Sequence, residues 1–145
     1  MVSTTLPKKV AMGKTVLLVD DERRALRALS RVLHPMRPRI WFAEDGGDAL
    51  RLVRKFRPDL IFLDLHMPGM SGFDLMRQMR EEGLGELPVI IVTGDQRQEA
   101  LIRGLGEGCV YFLTKPFRNE QVLRIAEYLI GDLPESERER LEPLL

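Results

Sequence analysis

Four short apolar runs, Val16–Val19, Leu60–Leu63, Val89–Val92 and Val110–Leu113, each hand polar residues to their C-terminal ends. Continuous apolar runs of this length are the mark of strands buried on both faces. Between them the apolar positions recur at helical spacing. Ala25, Leu26, Leu29, Val32 and Leu33 predict a first helix that Pro35 and Pro38 stop. Ile40–Ala43 is a second short strand. Ala49, Leu50, Val53 and Phe56 share one face of a second helix, broken by Pro58 ahead of a strand over Asp59–Leu63. Pro68, Gly69, Ser71 and Gly72 form a loop. Phe73, Leu75, Met76 and Met79 predict a third helix that ends near Gly83 and Gly85.

A strand over Val89–Val92 follows Pro88. A fourth helix over Gln96–Gly106 is expected to turn Ala100, Leu101 and Leu105 inward. Gly104 and Gly106 each cost a helix about 1 kcal/mol relative to Ala, which makes this the least rigid helix. Cys109–Leu113 is the last strand. Asn119 is a candidate cap for a fifth helix carrying Val122, Leu123, Ile125, Ala126, Leu129 and Ile130. Strand–helix repeated five times with short connections implies an α/β fold, a parallel sheet with helices on both faces. Ligands of such sheets bind beyond the carboxyl ends of the strands, where the strand order reverses.

Around this unit, residues 1–13 are aperiodic and are expected to form a flexible arm, leaving a domain over residues 14–131. Residues 132–145 are charged and read as a tail or the stub of a linker, in which Pro134 starts a short helix that Pro143 stops.

Composition narrows the function. Twenty-two Lys and Arg balance 22 Asp and Glu among 145 residues, so no excess of positive charge points to nucleic acid. No stretch approaches the ~20 apolar residues that span a membrane. No secretory leader is recognisable. The single cysteine, Cys109, opens an apolar run and is expected to be a small buried residue, which fits a reducing cytoplasm.

The chemistry lies at the strand ends. Asp20 and Asp21 follow the first run and Asp64 follows the third. Three carboxylates at one sheet edge are costly without a cation, and an all-oxygen set with room for water suits Mg²⁺. Taken alone, Asp20-Asp21 would serve equally well as a helix N-cap. Asp64 beside a metal ion can act as a nucleophile toward phosphorus. Thr93, before Gly94, offers a hydroxyl to a phosphoryl oxygen, although a lone Thr also suits a strand. Lys115, before Pro116, offers a point charge. A cis Lys115–Pro116 bond would aim that charge back across the site.

VLLVDDE (16–22), LIFLDLHMPGMSGFDL (60–75), VIIVTGD (89–95) and YFLTKPF (111–117) resemble, in order and spacing, the receiver domain of two-component response regulators. The resemblance runs from about Lys14 to Gly131. It implies a flavodoxin-like three-layer sandwich of five parallel strands in the order 2-1-3-4-5 with five helices. It implies that Asp64 accepts a phosphoryl group from a sensor histidine kinase or a histidine phosphotransfer protein. Asp20, Asp21, Asp64 and the backbone carbonyl of His66 would hold Mg²⁺, and Thr93 and Lys115 would contact the phosphoryl oxygens. Phe112 occupies the switch position three residues before the lysine, where Tyr is frequent. Alternation puts Tyr111 on the opposite face, and plain packing is the other reading of Phe112.

Two further residues depart from common patterns. The His66 ring either faces the phosphoryl group and the attacking water or is an idle loop side chain. Asp95, two residues past Thr93, would orient hydrolytic water or repel it. Both are candidates for setting the lifetime of phospho-Asp64. The expected protein is a cytoplasmic switch, not an enzyme with an external substrate. Phosphorylation would change the face of the fourth helix, fifth strand and fifth helix, which would engage an output of unknown kind or a second copy. The alternatives are a receiver cut from a larger regulator with DNA-binding or enzymatic output, and a small Mg²⁺-dependent phosphatase. The last would need a second carboxylate just after Asp64, where Leu65-His66 offers none.

Overall fold

A computed structural model describes Ala11 and residues 13–132 and 134–144. The chain runs β1 (Thr15–Val19), α1 (Arg23–Leu33), a 3₁₀ turn (His34–Met36), β2 (Arg39–Ala43), α2 (Gly46–Phe56), β3 (Leu60–Leu63), α3 (Gly72–Glu81), β4 (Val89–Thr93), α4 (Gln98–Gly106), β5 (Tyr111–Thr114), α5 (Asn119–Ile130), α6 (Glu135–Leu141) and a closing 3₁₀ turn (Glu142–Leu144). All strand pairs are parallel, in the order β2-β1-β3-β4-β5.

Alternation along the strands divides the core into two layers. Leu17, Val19, Ile61, Leu63 and Ile91 face Val53, Leu75, Met79 and Ala100 of α2, α3 and α4. Val16, Leu18, Phe62, Ile90 and Val92 face Leu29, Leu33, Val122 and Ile125 of α1 and α5. The inner strands are buried on both sides, which accounts for their unbroken apolar sequences. Tyr111 packs on the α1/α5 layer and Phe112 on the other, as strand alternation requires.

Local signals set the helix starts unevenly. Asp45 caps α2 by accepting from the Asp48 N–H at 2.8 Å. Ser71 and Asp74 form a reciprocal capping box at α3. Asn119, expected as the cap of α5, is instead its first helical residue. Arg118 takes the cap position without a side-chain cap bond.

Other expectations also shift. α4 begins at Gln98 and β5 at Tyr111, each two residues past the expected start, and β3 begins at Leu60, one residue past it. Leu101 and Leu105 point outward, 39% and 55% exposed, and Ala100 and Gly104 take the inward face. The reason is distance. A Cβ on Gly104 would lie 2.9 Å from Ile91 Cδ1 and 3.0 Å from Phe112 Cδ2, so α4 sits too close to the sheet for larger side chains. Gly104 lets α4 approach the sheet this closely, a gain set against its cost in helix propensity.

At the N-terminus, residues 1–10 and Met12 of the expected arm lie outside the described residues. Ala11 is anchored, 2% exposed, with its N–H donating to Met36 O at 2.6 Å. At the other end the short helix expected at Pro134 is α6, with Pro134 at its N-cap. The Arg138 guanidinium lies 5.2 Å from the Tyr128 ring, which brings α6 against α5. Cys109 is buried, and that burial pushes its thiol up to about 11.

Gly72 joins the scaffold to the strand ends. A Cβ there would lie 2.6 Å from Asp64 O and 2.9 Å from Leu65 Cα, backbone atoms that cannot step aside. Gly72→Ala is expected to destabilise the fold by about 2 kcal/mol. A urea unfolding midpoint equal to wild type would refute this.

Candidate functional site

The strand order makes the site. β1 is flanked by β2 on one side and β3 on the other, and the chain direction across the sheet reverses there. Asp20 and Asp21 leave the end of β1, Asp64 leaves β3, Thr93 closes β4 and Lys115 follows β5, so five residues distant in sequence meet at one edge. The backbone helps to hold them. Asp64 N–H donates to Val19 O at 3.0 Å, and Lys115 N–H donates to Thr93 O at 2.7 Å.

Lys115 occupies the centre. Its Nζ donates to Asp20 Oδ2 at 2.8 Å and to Asp64 Oδ2 at 3.2 Å. The Lys115–Pro116 peptide is cis. The remaining oxygens are held locally. Asp20 Oδ1 accepts from Glu22 N–H at 2.9 Å, and Asp64 Oδ1 accepts from His66 N–H at 3.2 Å. Asp20 and Asp64 are buried and Asp21 is exposed.

Burial raises the Asp20 carboxyl above its ordinary value, and the Lys115 hydrogen bond and the turn at Glu22 only partly oppose this. Burial alone would lower the Lys115 ammonium. The hydrogen bond to Asp20 and the charges of Asp64 and Asp20 outweigh it, and the net shift is upward. One ammonium thus leaves three carboxylates under-neutralised. One oxygen from each of Asp20, Asp21 and Asp64 lies within 4.8 Å of the others. This hard, all-oxygen set fits a divalent cation such as Mg²⁺.

Thr93 is fully buried, and its Oγ1 accepts from Asp95 N–H at 3.2 Å. His66 is exposed on its loop, and its Nε2 lies 2.8 Å from Asp95 Oδ2. Arg97, which the sequence did not single out, donates through Nε and Nη2 to both Asp95 oxygens at 2.9 and 2.7 Å. His66, Asp95 and Arg97 thus form one group beside Thr93. Phe112 stands apart, beneath α4 and against the position of Gly104. On the other face an apolar cavity of about 340 Å³ between α1 and α5 borders Asp20, Asp64 and Lys115 and reaches Phe117.

The family model of the response regulator receiver domain matches residues 16–127. The chain is 34% identical to protein PilH of Pseudomonas aeruginosa over 110 residues, 75% of this chain and 91% of that protein. It is 35% identical to response regulator MprA of Mycolicibacterium vanbaalenii over 112 residues, 77% of this chain and 48% of that protein. The chain spans about half the length of most of the curated relatives it matches. Vibrio cholerae chemotaxis protein CheY4 superposes with a TM-score of 0.73 at 29% identity, covering 80% of this chain and 98% of that one.

Arg97 and His66 hold the Asp95 carboxyl well below the usual carboxylate range. A depressed carboxylate stabilises the fold above its ordinary value near ~4 and loses that contribution as pH falls through its folded value. Asp95→Asn is therefore expected to destabilise the protein at neutral pH. The gap to wild type, read by urea unfolding, should narrow as pH drops below about 4. A gap that is constant or widens on acidification would contradict this.

Proposed function

The chain belongs to the response regulator receiver domain family, and from that premise we propose that it is a phosphorylation-controlled switch with Asp64 as the acceptor. The observation that carries this reading is Lys115 bridging Asp20 and Asp64 beside a three-carboxylate cluster at the strand ends. An Asp64 oxygen attacks phosphorus, the P–N bond to a donor histidine breaks, and the imidazole leaves and regains its proton. The donor belongs to a sensor histidine kinase or a histidine phosphotransfer protein. Asp20, Asp21, Asp64 and the backbone carbonyl of His66 would hold Mg²⁺, which would supply positive charge to the phosphoryl oxygens. Lys115, already bonded to Asp20 and Asp64, supplies a fixed charge and clamps the product.

Thr93 then turns its hydroxyl from the Asp95 N–H toward the new phosphoryl oxygens. Phe112 follows into the space released, and α4, lying directly over the ring, moves with it. Leu101, Ile102, Leu105 and Val110, all exposed, give the α4–β5–α5 face an apolar surface for an output partner. His66 and Asp95 set the lifetime of the phosphorylated state. Arg97 and His66 occupy the Asp95 oxygens, which limits their use in orienting an attacking water. The domain is regulatory and cytoplasmic, and its chemistry is limited to its own phosphorylation and dephosphorylation. A second reading, the receiver portion of a longer regulator, is favoured by the half-length match to MprA. Among the described residues no helix is long and apolar enough to cross a membrane.

Acetyl phosphate with Mg²⁺ is expected to add one phosphoryl group to wild type and none to Asp64→Ala, read by intact mass. Asp20→Asn should need at least about tenfold more Mg²⁺. A modification that persists in Asp64→Ala would overturn the assignment. Beryllofluoride with Mg²⁺ should change hydrogen exchange across α4 in wild type. A Phe112→Ala variant that shows the same change would remove Phe112 from the switch.

A further inference from the structure

β2 is one edge of the sheet, and no strand among the described residues pairs with its outer side. Arg39 N–H donates to Lys14 O and Ala43 C=O accepts from Asp20 N–H, so the odd-numbered residues of β2 turn their backbone toward β1. The backbone groups of Ile40 and Phe42 therefore point away from the sheet. Edge strands are ordinarily shielded by charge, proline or a covering element. Here the middle of the strand is Ile40-Trp41-Phe42, with Trp41 40% and Phe42 47% exposed. Trp41 is held in place by stacking on Phe56 of α2, with ring centroids 4.4 Å apart.

Charge along the edge is self-complementary. Arg37 and Arg39 precede the apolar centre and have no carboxylate partner among the described residues. Glu44 and Asp45 follow it, Glu44 bonded to Arg23 and Asp45 capping α2. We propose that two copies of this chain pair antiparallel through β2, about a two-fold axis at Trp41, and join their sheets edge to edge.

That axis matches the exposed groups. Ile40 of one copy meets Phe42 of the other, and these are the residues whose N–H and C=O groups are free to exchange hydrogen bonds. Trp41 meets its own counterpart at the close, non-hydrogen-bonded position, with the two Phe56 rings on the same side. Arg37 and Arg39 lie alongside the partner's Glu44 and Asp45, an isologous contact that adds opposite charge near each arginine while Glu44 keeps Arg23 and Asp45 keeps its cap. A chain of zero formal net charge offers little long-range repulsion to such pairing. The interface is small, so the dimer is weak and concentration-dependent. It leaves the α4–β5–α5 face free and does not depend on phosphorylation of Asp64. Antiparallel pairing sends the two strand-end sites to opposite ends of one continuous sheet.

Sedimentation of the full chain over a roughly hundredfold concentration range should show mass rising toward twice the monomer, with or without beryllofluoride. Phe42→Lys should abolish the rise while keeping the wild-type circular dichroism. A second measurement fixes the axis. Trp41→Cys should crosslink to itself on mild oxidation with copper–phenanthroline, because facing residues at that position lie within disulfide reach. Glu86→Cys, on an exposed loop, should not. Cys109 adds no background, being buried with its thiol pushed up to about 11. A chain that stays monomeric throughout, or Trp41→Cys that crosslinks no faster than Glu86→Cys, would overturn the proposal. So would a dimer that survives Phe42→Lys but is lost in Leu105→Lys, since that places the contact on α4. None of these outcomes bears on whether Asp64 is phosphorylated, which intact mass reads separately.

Discussion

One ammonium group holds the strand ends of this protein together. Lys115 reaches Asp20 and Asp64 at once, and these residues lie 95 and 51 positions away in the chain. Two carboxylates buried side by side without it would repel each other at the point where the sheet must close. The interaction demands that β1 and β3 be neighbours and that β5 arrive from the far edge, and the order β2-β1-β3-β4-β5 meets that demand. Burial raises the Asp20 carboxyl in spite of the Lys115 hydrogen bond, and one ammonium faces three carboxylates whose oxygens lie within 4.8 Å of one another, a set that fits a further cation. Fold and chemistry are thus two readings of the same unfinished neutralisation.

What could be seen in the sequence followed from how strongly each residue's surroundings were dictated by the chain itself. Strands buried on both faces must be apolar throughout, so their runs and the polar residues that end them stand out, and with them the positions of Asp20, Asp64, Thr93 and Lys115. α4 was harder because its inward face is made of small residues. A search for apolar periodicity selects Leu101 and Leu105, yet the helix approaches the sheet through Ala100 and Gly104 and leaves the leucines outside. Arg97 left no trace of its role, because its bonds to Asp95 depend on the course of a loop and not on spacing. Asn119 had the right chemistry for a cap and stands one residue too late.

The two exposed apolar regions are physically different. Around α4 the outward leucines belong to a helix backed by an aromatic ring, and their positions shift if the helix does. Along β2 the aromatic residues are tied into a sheet whose register with β1 runs from Thr15↔Arg39 to Val19↔Ala43. One surface is suited to change with the state of the site, the other to remain the same in every state.

Gly104 gives the first of these surfaces its character. Ordinary helix–sheet contacts interlock, and a helix cannot shift until its side chains have lifted out of the grooves that hold them. At Gly104 the bare helix backbone rests on the Phe112 ring. The helix brings no side chain of its own to this contact, and the Ile91 methyl and the Cδ2 and Cε2 atoms of Phe112 rise to meet its backbone. A displacement of α4 here lifts no side chain of the helix out of a groove, and Arg103, 4.3 Å from the Phe73 ring of α3, ties the helix at its flank. At this end of α4 the helix's own side chains hold it from the flank and not from over the ring.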